Sequence, residues 1–235
     1  MSYRKLTIGI AAAALTIAGT ALWNWSDLAT AATPAAVGIP APSLDTPNPA
    51  KSDTAIFAGG CFWGVQGVFQ HVKGVRSAVS GYSGGSRENA RYERVGSGNT
   101  GHAEAVRINY DPTQISYGAL LRIYFSVVAD PTTLNYQGPD HGTQYRTAIF
   151  PLSSSQKALA QSYIAQLGKS GAWKRPIVTR VEPYKGFYPA EAYHQDYLAR
   201  NPGAFYIRAN DLPKVTALKA NFPTLYRAKP VLVKG

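Results

Sequence analysis

The sequence predicts an α+β domain with a mixed or antiparallel sheet and helices packed on one side of it. Two observations carry that reading. Short apolar or alternating segments interleave with segments of helical spacing in the order strand, helix, strand, strand, helix, strand, helix, strand, and no internal repeat breaks this order. The 235 residues are 45% hydrophobic and only 16% charged, enough apolar material for a full core and unlike a coiled coil or a disordered chain.

Residues 54–58 form a continuous apolar run ended by Gly59 and Gly60, the pattern of a buried strand. Phe62, Val65, Val68 and Phe69 then recur at helical spacing, which places Cys61 at a helix N-terminus. Residues 75–82 and 103–110 alternate as strands, the first closed by a Ser-Gly-Gly turn and the second by Asp111-Pro112. A helix is predicted over 115–128, stopped by Asp130-Pro131, and a strand over 145–150 after a turn-rich loop. Ser153 and Gln156 form a capping box for a helix to Leu167, with Gly168 as its stop. A strand over 177–181 and a short helix over 190–198 follow. Beyond them the tail is irregular except for 213–220.

Ahead of the domain, Arg4 and Lys5 precede an apolar stretch over 6–22 that ends at Trp23-Asn24-Trp25, with a small-x-small site at Ala29-Thr30-Ala31. Residues 1–31 read as a signal peptide or an N-terminal membrane anchor, and either one exports the domain to the periplasm, the exterior or a membrane surface. Residues 32–52, with prolines at 34, 40, 42, 47 and 49, read as an extended linker that does not pack. The domain itself is assigned to 53–228. The net charge of +11 is spread without a basic run, so no nucleic-acid partner is expected.

Cys61 is the one cysteine of the chain. A disulfide within the chain and paired-cysteine zinc or redox motifs are thereby excluded. At a helix N-terminus a thiolate is favoured and its pKa lowered, so Cys61 is expected to be a reactive nucleophile, with Gly59 and Gly60 letting a substrate approach closely. Phe62 and Trp63 point about 100° apart on a helix, and together they form walls of an apolar pocket beside the sulfur. Glu104 lies on the apolar face of its strand with Val106, Ile108 and Tyr110. A carboxyl in a pocket there is raised in pKa and acts as a general acid. His102, His141 and His194 show no metal spacing, so no metal is expected, while a Cys/His hydrolase remains an alternative. The GxGxxG match over 96–101 precedes a strand instead of opening a helix, which removes the dinucleotide reading.

Together these residues resemble the type A peptide methionine sulfoxide reductase family. The resemblance is carried by GCFWG (60–64), GYSGG (81–85), YERV (92–95), TGHAE (100–104), YDP (110–112), QGPDHGTQYR (137–146) and YHQDY (193–197), in family order. It implies a two-layer α/β sandwich with a long irregular C-terminal region. It also implies reduction of methionine (S)-S-oxide, peptide-bound or free, as repair of oxidised proteins. Cys61 would attack the sulfoxide sulfur and become a sulfenic acid, Glu104 would protonate the oxygen, and Tyr92 and Tyr145 would hydrogen-bond it. Phe62 and Trp63 would hold the methyl group, and Asp140, His194 and Tyr197 would contact the substrate backbone. No metal or organic cofactor is implied, and a monomer is expected.

The chain departs from the family pattern where many members carry a second cysteine. Tyr206 stands at the C-terminal position after Asn201-Pro202, and Gly96 stands at the other. An external thiol, such as a thioredoxin-like donor, is therefore expected to reset Cys61. Ala129 replaces a histidine and Gln66 a common glutamate. A non-catalytic thiol redox sensor on the same scaffold is the competing expectation.

Overall fold

In the computed structural model, residues 38–45 and 48–233 are described. The export segment expected over 1–31 lies outside them. The fold is a six-stranded mixed sheet, with strands β1 (Asp53–Gly59), β2 (Val75–Ser83), β3 (Ala103–Tyr110), β6 (Thr147–Ile149), β7 (Arg180–Val181) and β8 (Phe187–Pro189). Their order is β7-β6-β1-β3-β2-β8. Every pairing is antiparallel except β6 with β7, where Ala148 lies opposite Arg180. A small hairpin, β4 (Tyr136–Gln137) and β5 (Asp140–His141), stands apart from the sheet.

The continuous apolar run of β1 follows from burial on both faces. Ala55 and Phe57 face the main core, whereas Ile56 and Ala58 face a second, smaller cluster with Ala103, Ala105, Phe150 and Phe187. The main core fills the space between the sheet and helices α1 (Phe62–Gln70), α3 (Tyr117–Ile123) and α4 (Ser154–Lys169), with Val65, Val68, Leu120, Leu121, Leu159 and Tyr163 among its members. On the back face Phe187 is roofed by the Arg107 guanidinium, 4.9 Å from its ring centroid. Three short or late helices complete the chain: α2 (Tyr92–Val95), α5 (Tyr197–Arg200) and α6 (Leu212–Asn221).

Several elements differ from expectation, each for a local reason. The helix expected over 115–128 starts later. Ser116 caps α3 by accepting the Ala119 N–H at 3.0 Å, and after Ile123 the chain winds into a π turn over Tyr124–Val128. In α4 the chain runs through Gly168, and the left-handed residue is Gly171. Tyr145 belongs to a 3₁₀ turn ahead of β6, and only Arg180–Val181 of 177–181 pairs as strand. The helix expected over 190–198 is broken by Asp196, whose φ is 57°. Its N–H donates to Gln66 Oε1 at 2.9 Å and its Oδ1 accepts from Gln70 Nε2 at 2.6 Å, so α1 dictates the break.

The expectation of an unpacked linker over 32–52 is corrected in part. Ile39 is buried in the main core, Tyr163 donates to the Pro40 carbonyl at 2.7 Å, and Gln166 Nε2 donates to that of Ala41 at 2.8 Å. Asp45 accepts from Ser116 Oγ and from the Gly118 N–H, adding a second cap to α3. A proline-rich strand without internal hydrogen bonds has free carbonyls, and here α3 and α4 supply their donors.

Candidate active site

The loop from β1 to α1 is fixed by two glycines. Gly60 has φ +88°, and a Cβ there would lie 2.6 Å from Gln137 Cβ, so only glycine fits. At Gly59 a Cβ would crowd Val128, Ala129 and Tyr124 at 3.1–3.2 Å. What these glycines admit is the protein's own side chains, in place of the substrate approach expected from sequence. Gln137 is in turn locked to the Asp130 carbonyl and N–H, so the β4 hairpin is held against the Cys61 turn.

Cys61 is the N-cap residue of α1 and only 8% exposed. The N-terminal position matches expectation, but its electrostatic consequence does not. Burial, followed by the charges of Glu104 and Asp211, raises the thiol pKa well above its ordinary value, and the Trp63 N–H lowers it only in part. The resting sulfur is a thiol. Beside it, Glu104 is 3% exposed and accepts the Phe62 N–H at 2.9 Å, taking the first free donor of the helix. Burial pushes its carboxyl up to about 8, so at neutral pH it carries a proton.

Tyr92 and Tyr145 converge on the same centre. Loss of hydration raises both phenol pKa values, and the charges of Glu104 and Cys61 act on each. Phe62 is buried against Tyr82 and His194, with ring centroids at 5.9 and 5.0 Å. Trp63 stays half-buried, stacked on Tyr197 at 3.8 Å and 10° and edged by Tyr206 at 5.8 Å. Its Nε1–H donates to His194 Nδ1 at 3.1 Å, which makes Nε2 the protonated nitrogen of a neutral ring, and burial lowers that ring's pKa. Asp140, on β5, accepts the Tyr206 O–H, and its pKa is raised by burial. The eight residues singled out from sequence besides Cys61 therefore belong to one connected cluster around the start of α1.

Of the histidines His102, His141 and His194, His194 is the one packed against Phe62 and Trp63. His102 is buried as a brace, accepting the Gly85 N–H and bonding the Ser86 carbonyl, and His141 stacks on Tyr136. The glycine match over 96–101 is the loop before β3, with Gly98 and Gly101 left-handed.

Sequence reasoning missed the supports. Gln66 and Gln195 bond each other at 2.9 Å, and Gln195 also ties to Ser80 and Ala190, which sets His194 and Tyr197 from the far side of α1. Arg146 grips Glu182 at 2.8 and 2.9 Å and donates to the Gly101, His102 and Thr143 carbonyls, holding Tyr145 to the start of β3. Asp211 was missed altogether. Placed before Leu212-Pro213 it looks like a helix cap, yet its side chain makes no cap hydrogen bond.

Comparison with known proteins gives one answer. Residues 53–225 match the family described as peptide methionine sulfoxide reductase. The chain is 64% identical over 182 residues to peptide methionine sulfoxide reductase MsrA 2 of Mesorhizobium japonicum, covering 77% of this chain and 93% of that one. It is 50% identical over 177 residues to MsrA of Deinococcus radiodurans, covering 75% and 85%. Among solved structures it resembles reduced Mxr1 of Saccharomyces cerevisiae, with TM-score 0.57, 34% identity and 69% and 93% of the two chains covered. It also resembles methionine sulfoxide reductase A of Corynebacterium diphtheriae, with TM-score 0.57, 31% identity and 72% and 89% covered.

Proposed function

This chain belongs to the peptide methionine sulfoxide reductase family, and from that premise we propose how its own residues perform the reduction. The enzyme reduces methionine sulfoxide in peptides. In the reaction proposed, the Cys61 sulfur attacks the sulfoxide sulfur of the S epimer while Glu104 delivers its proton to the oxygen, which Tyr92 and Tyr145 hold by hydrogen bonds. The sulfur–oxygen bond breaks, the oxygen passes to Cys61, and methionine leaves. The sum is a thiol and a sulfoxide giving a sulfenic acid and a thioether, with two electrons supplied by Cys61 and no net gain or loss of protons.

The observation that carries this reading is the pairing of a buried thiol with a buried, protonated carboxyl at the same helix N-terminus. An acid in that state supplies the proton that a departing oxygen needs. Trp63, fixed by Tyr197, Tyr206 and His194, and Phe62 behind it form the methyl-binding wall, while Asp140, His194 and Tyr197 face the substrate backbone.

The remaining cycle follows from chain composition. With one cysteine and Tyr206 at the place of a second, the sulfenic acid is resolved by an external thiol, first to a mixed disulfide with loss of water and then, with a second thiol, back to Cys61. The apolar stretch over 6–22 behind Arg4 and Lys5, with the small-x-small site at 29–31, supports an exported or membrane-anchored repair enzyme. Single-turnover reduction of each sulfoxide epimer without reductant tests the scheme. One methionine per Cys61, from the S epimer alone, is expected. More than one, or equal yields from both epimers, refutes it.

A further inference from the structure

Asp211 has no place in the reaction described above, yet its carboxyl is packed against the first turn of α1, which Cys61 caps. It is fully buried, and neither carboxylate oxygen has a hydrogen-bond partner among the described residues. Its nearest cation is Lys214 Nζ, 3.7 Å from Oδ1 and one helical turn further along. The carboxyl fills the slot left by the missing side chain of Gly64. A Cβ there would overlap Oδ1, lie 2.8 Å from Cγ and stand 3.2 Å from Lys214 Nζ. Gly64 follows Cys61 by three residues, so the carboxyl rests on the side of the first turn of α1 that Cys61 caps.

A helix has one positive N-terminal field, worth little beyond its first turn. In α1 that field already faces two carboxyls, with Glu104 on the first N–H and Asp211 against the third residue. A negative sulfur would have to share it with Asp211 in surroundings that screen charge poorly. The other ionisable groups around the cluster are Tyr92 on α2, Asp140 from β5, Tyr145 ahead of β6, His194 against Phe62 and Trp63, Tyr206 ahead of α6 and Lys214 on α6. Lys214 is the one cation among them and is drawn to Asp211 before the sulfur.

We propose that Asp211 is a positioning residue of the reductase: its buried charge holds Cys61 as a neutral thiol, sparing it from nonspecific oxidants and electrophiles until a sulfoxide docks beside Glu104. This rests on Cys61 being the nucleophile. Burial and Asp140 push the Asp211 carboxyl up to about 6, so the brake is on at neutral pH and released in acid, the charge being lost as pH falls through that value.

Because Cys61 is the one thiol of the chain, its alkylation by iodoacetamide reads its ionisation directly and needs no sulfoxide. In the full-length protein D211N is expected to raise the alkylation rate at pH 7.5 about tenfold and to move the midpoint of the profile toward acid by about one pH unit. The double variant D211N/K214M, which leaves no unpaired buried ion, is expected to show the same acid shift, whereas K214M alone reacts no faster. The wild type carries its own check, since log rate against pH should rise with a slope below one near pH 6, where Asp211 ionises. A single slope of one from pH 5 to 7.5 overturns the proposal. So does a D211N profile with an unmoved midpoint, raised equally at every pH, which is the mark of mere loosening. Neither result touches the reductase reading, which the single-turnover yield decides separately.

Discussion

Replacing Glu104 by glutamine separates catalysis from stability in opposite directions. Gln keeps the shape and an oxygen to accept the Phe62 N–H, but it has no proton to give. Wild-type Glu104, at about 8, is roughly nine-tenths protonated at pH 7 and one-tenth at pH 9, so first-turnover rates should fall tenfold per pH unit on the alkaline side. E104Q should lose about 10²- to 10⁴-fold in that rate, and the limb near pH 8 should vanish. Stability moves the other way. A carboxyl raised from 4.5 to about 8 by folding favours the native state most in acid and loses that advantage over the range where only the unfolded chain ionises. Its contribution is fully present below pH 4.5 and is lost by about 1.4 kcal/mol per pH unit as pH rises toward 8. E104Q should therefore unfold at higher urea than the wild type at pH 8, by a few kcal/mol, with the gap closing at pH 4. Quenched-flow methionine release and urea melts at the two pH values measure both effects. An E104Q enzyme that keeps the limb near pH 8, or loses less than tenfold, would show that another group protonates the oxygen and would refute the argument.

Two further substitutions test the frame of the site. G60A forces a left-handed backbone on an L residue and drives its Cβ into Gln137, so it should cost at least about 2 kcal/mol in a denaturant melt and slow the first turnover, whereas alanine at the open Gly168 should be neutral or stabilising. I39A removes a buried side chain from the strap over α3 and α4 and should cost about 2–4 kcal/mol by the same melt without changing the rate of the first turnover. An unchanged melt would mean that the strap does not pack in solution.

The parts of this molecule legible in the sequence are those whose pattern is local. β1, α1, β2 and β3 were readable within a residue or two because their apolar spacing and their glycine stops lie in the same short windows. Glu104 was legible for the same reason, as a carboxyl on the face shared by Val106 and Ile108. The break at Asp196 was not, because it depends on Gln66 and Gln70, more than a hundred residues away. Nor was the strap, since Ile39 and Asp45 look like ordinary linker residues until α3 and α4 stand beside them.

Cys61 shows why local reading reaches the right residue with the wrong charge. Its position at a helix N-terminus is set by Gly60 and the apolar spacing after it, all within one window. Its protonation is set by Glu104 from a strand and Asp211 from the far end of the chain, both closed in by burial. A helix dipole alone favours the thiolate, by amounts of about 0.3–1 kcal/mol at exposed sites. Desolvating a thiolate next to two carboxyls opposes it by more, since each pKa unit is worth about 1.4 kcal/mol and burial shifts reach several units. In the proposed reaction the nucleophile is therefore stored in its unreactive form, and the acid assigned to the substrate oxygen in its reactive form. Glu104 in that reaction takes the proton of Cys61 as it passes its own to the sulfoxide oxygen, so no second anion forms beside the sulfur and ionisation of Cys61 is tied to the presence of the right substrate.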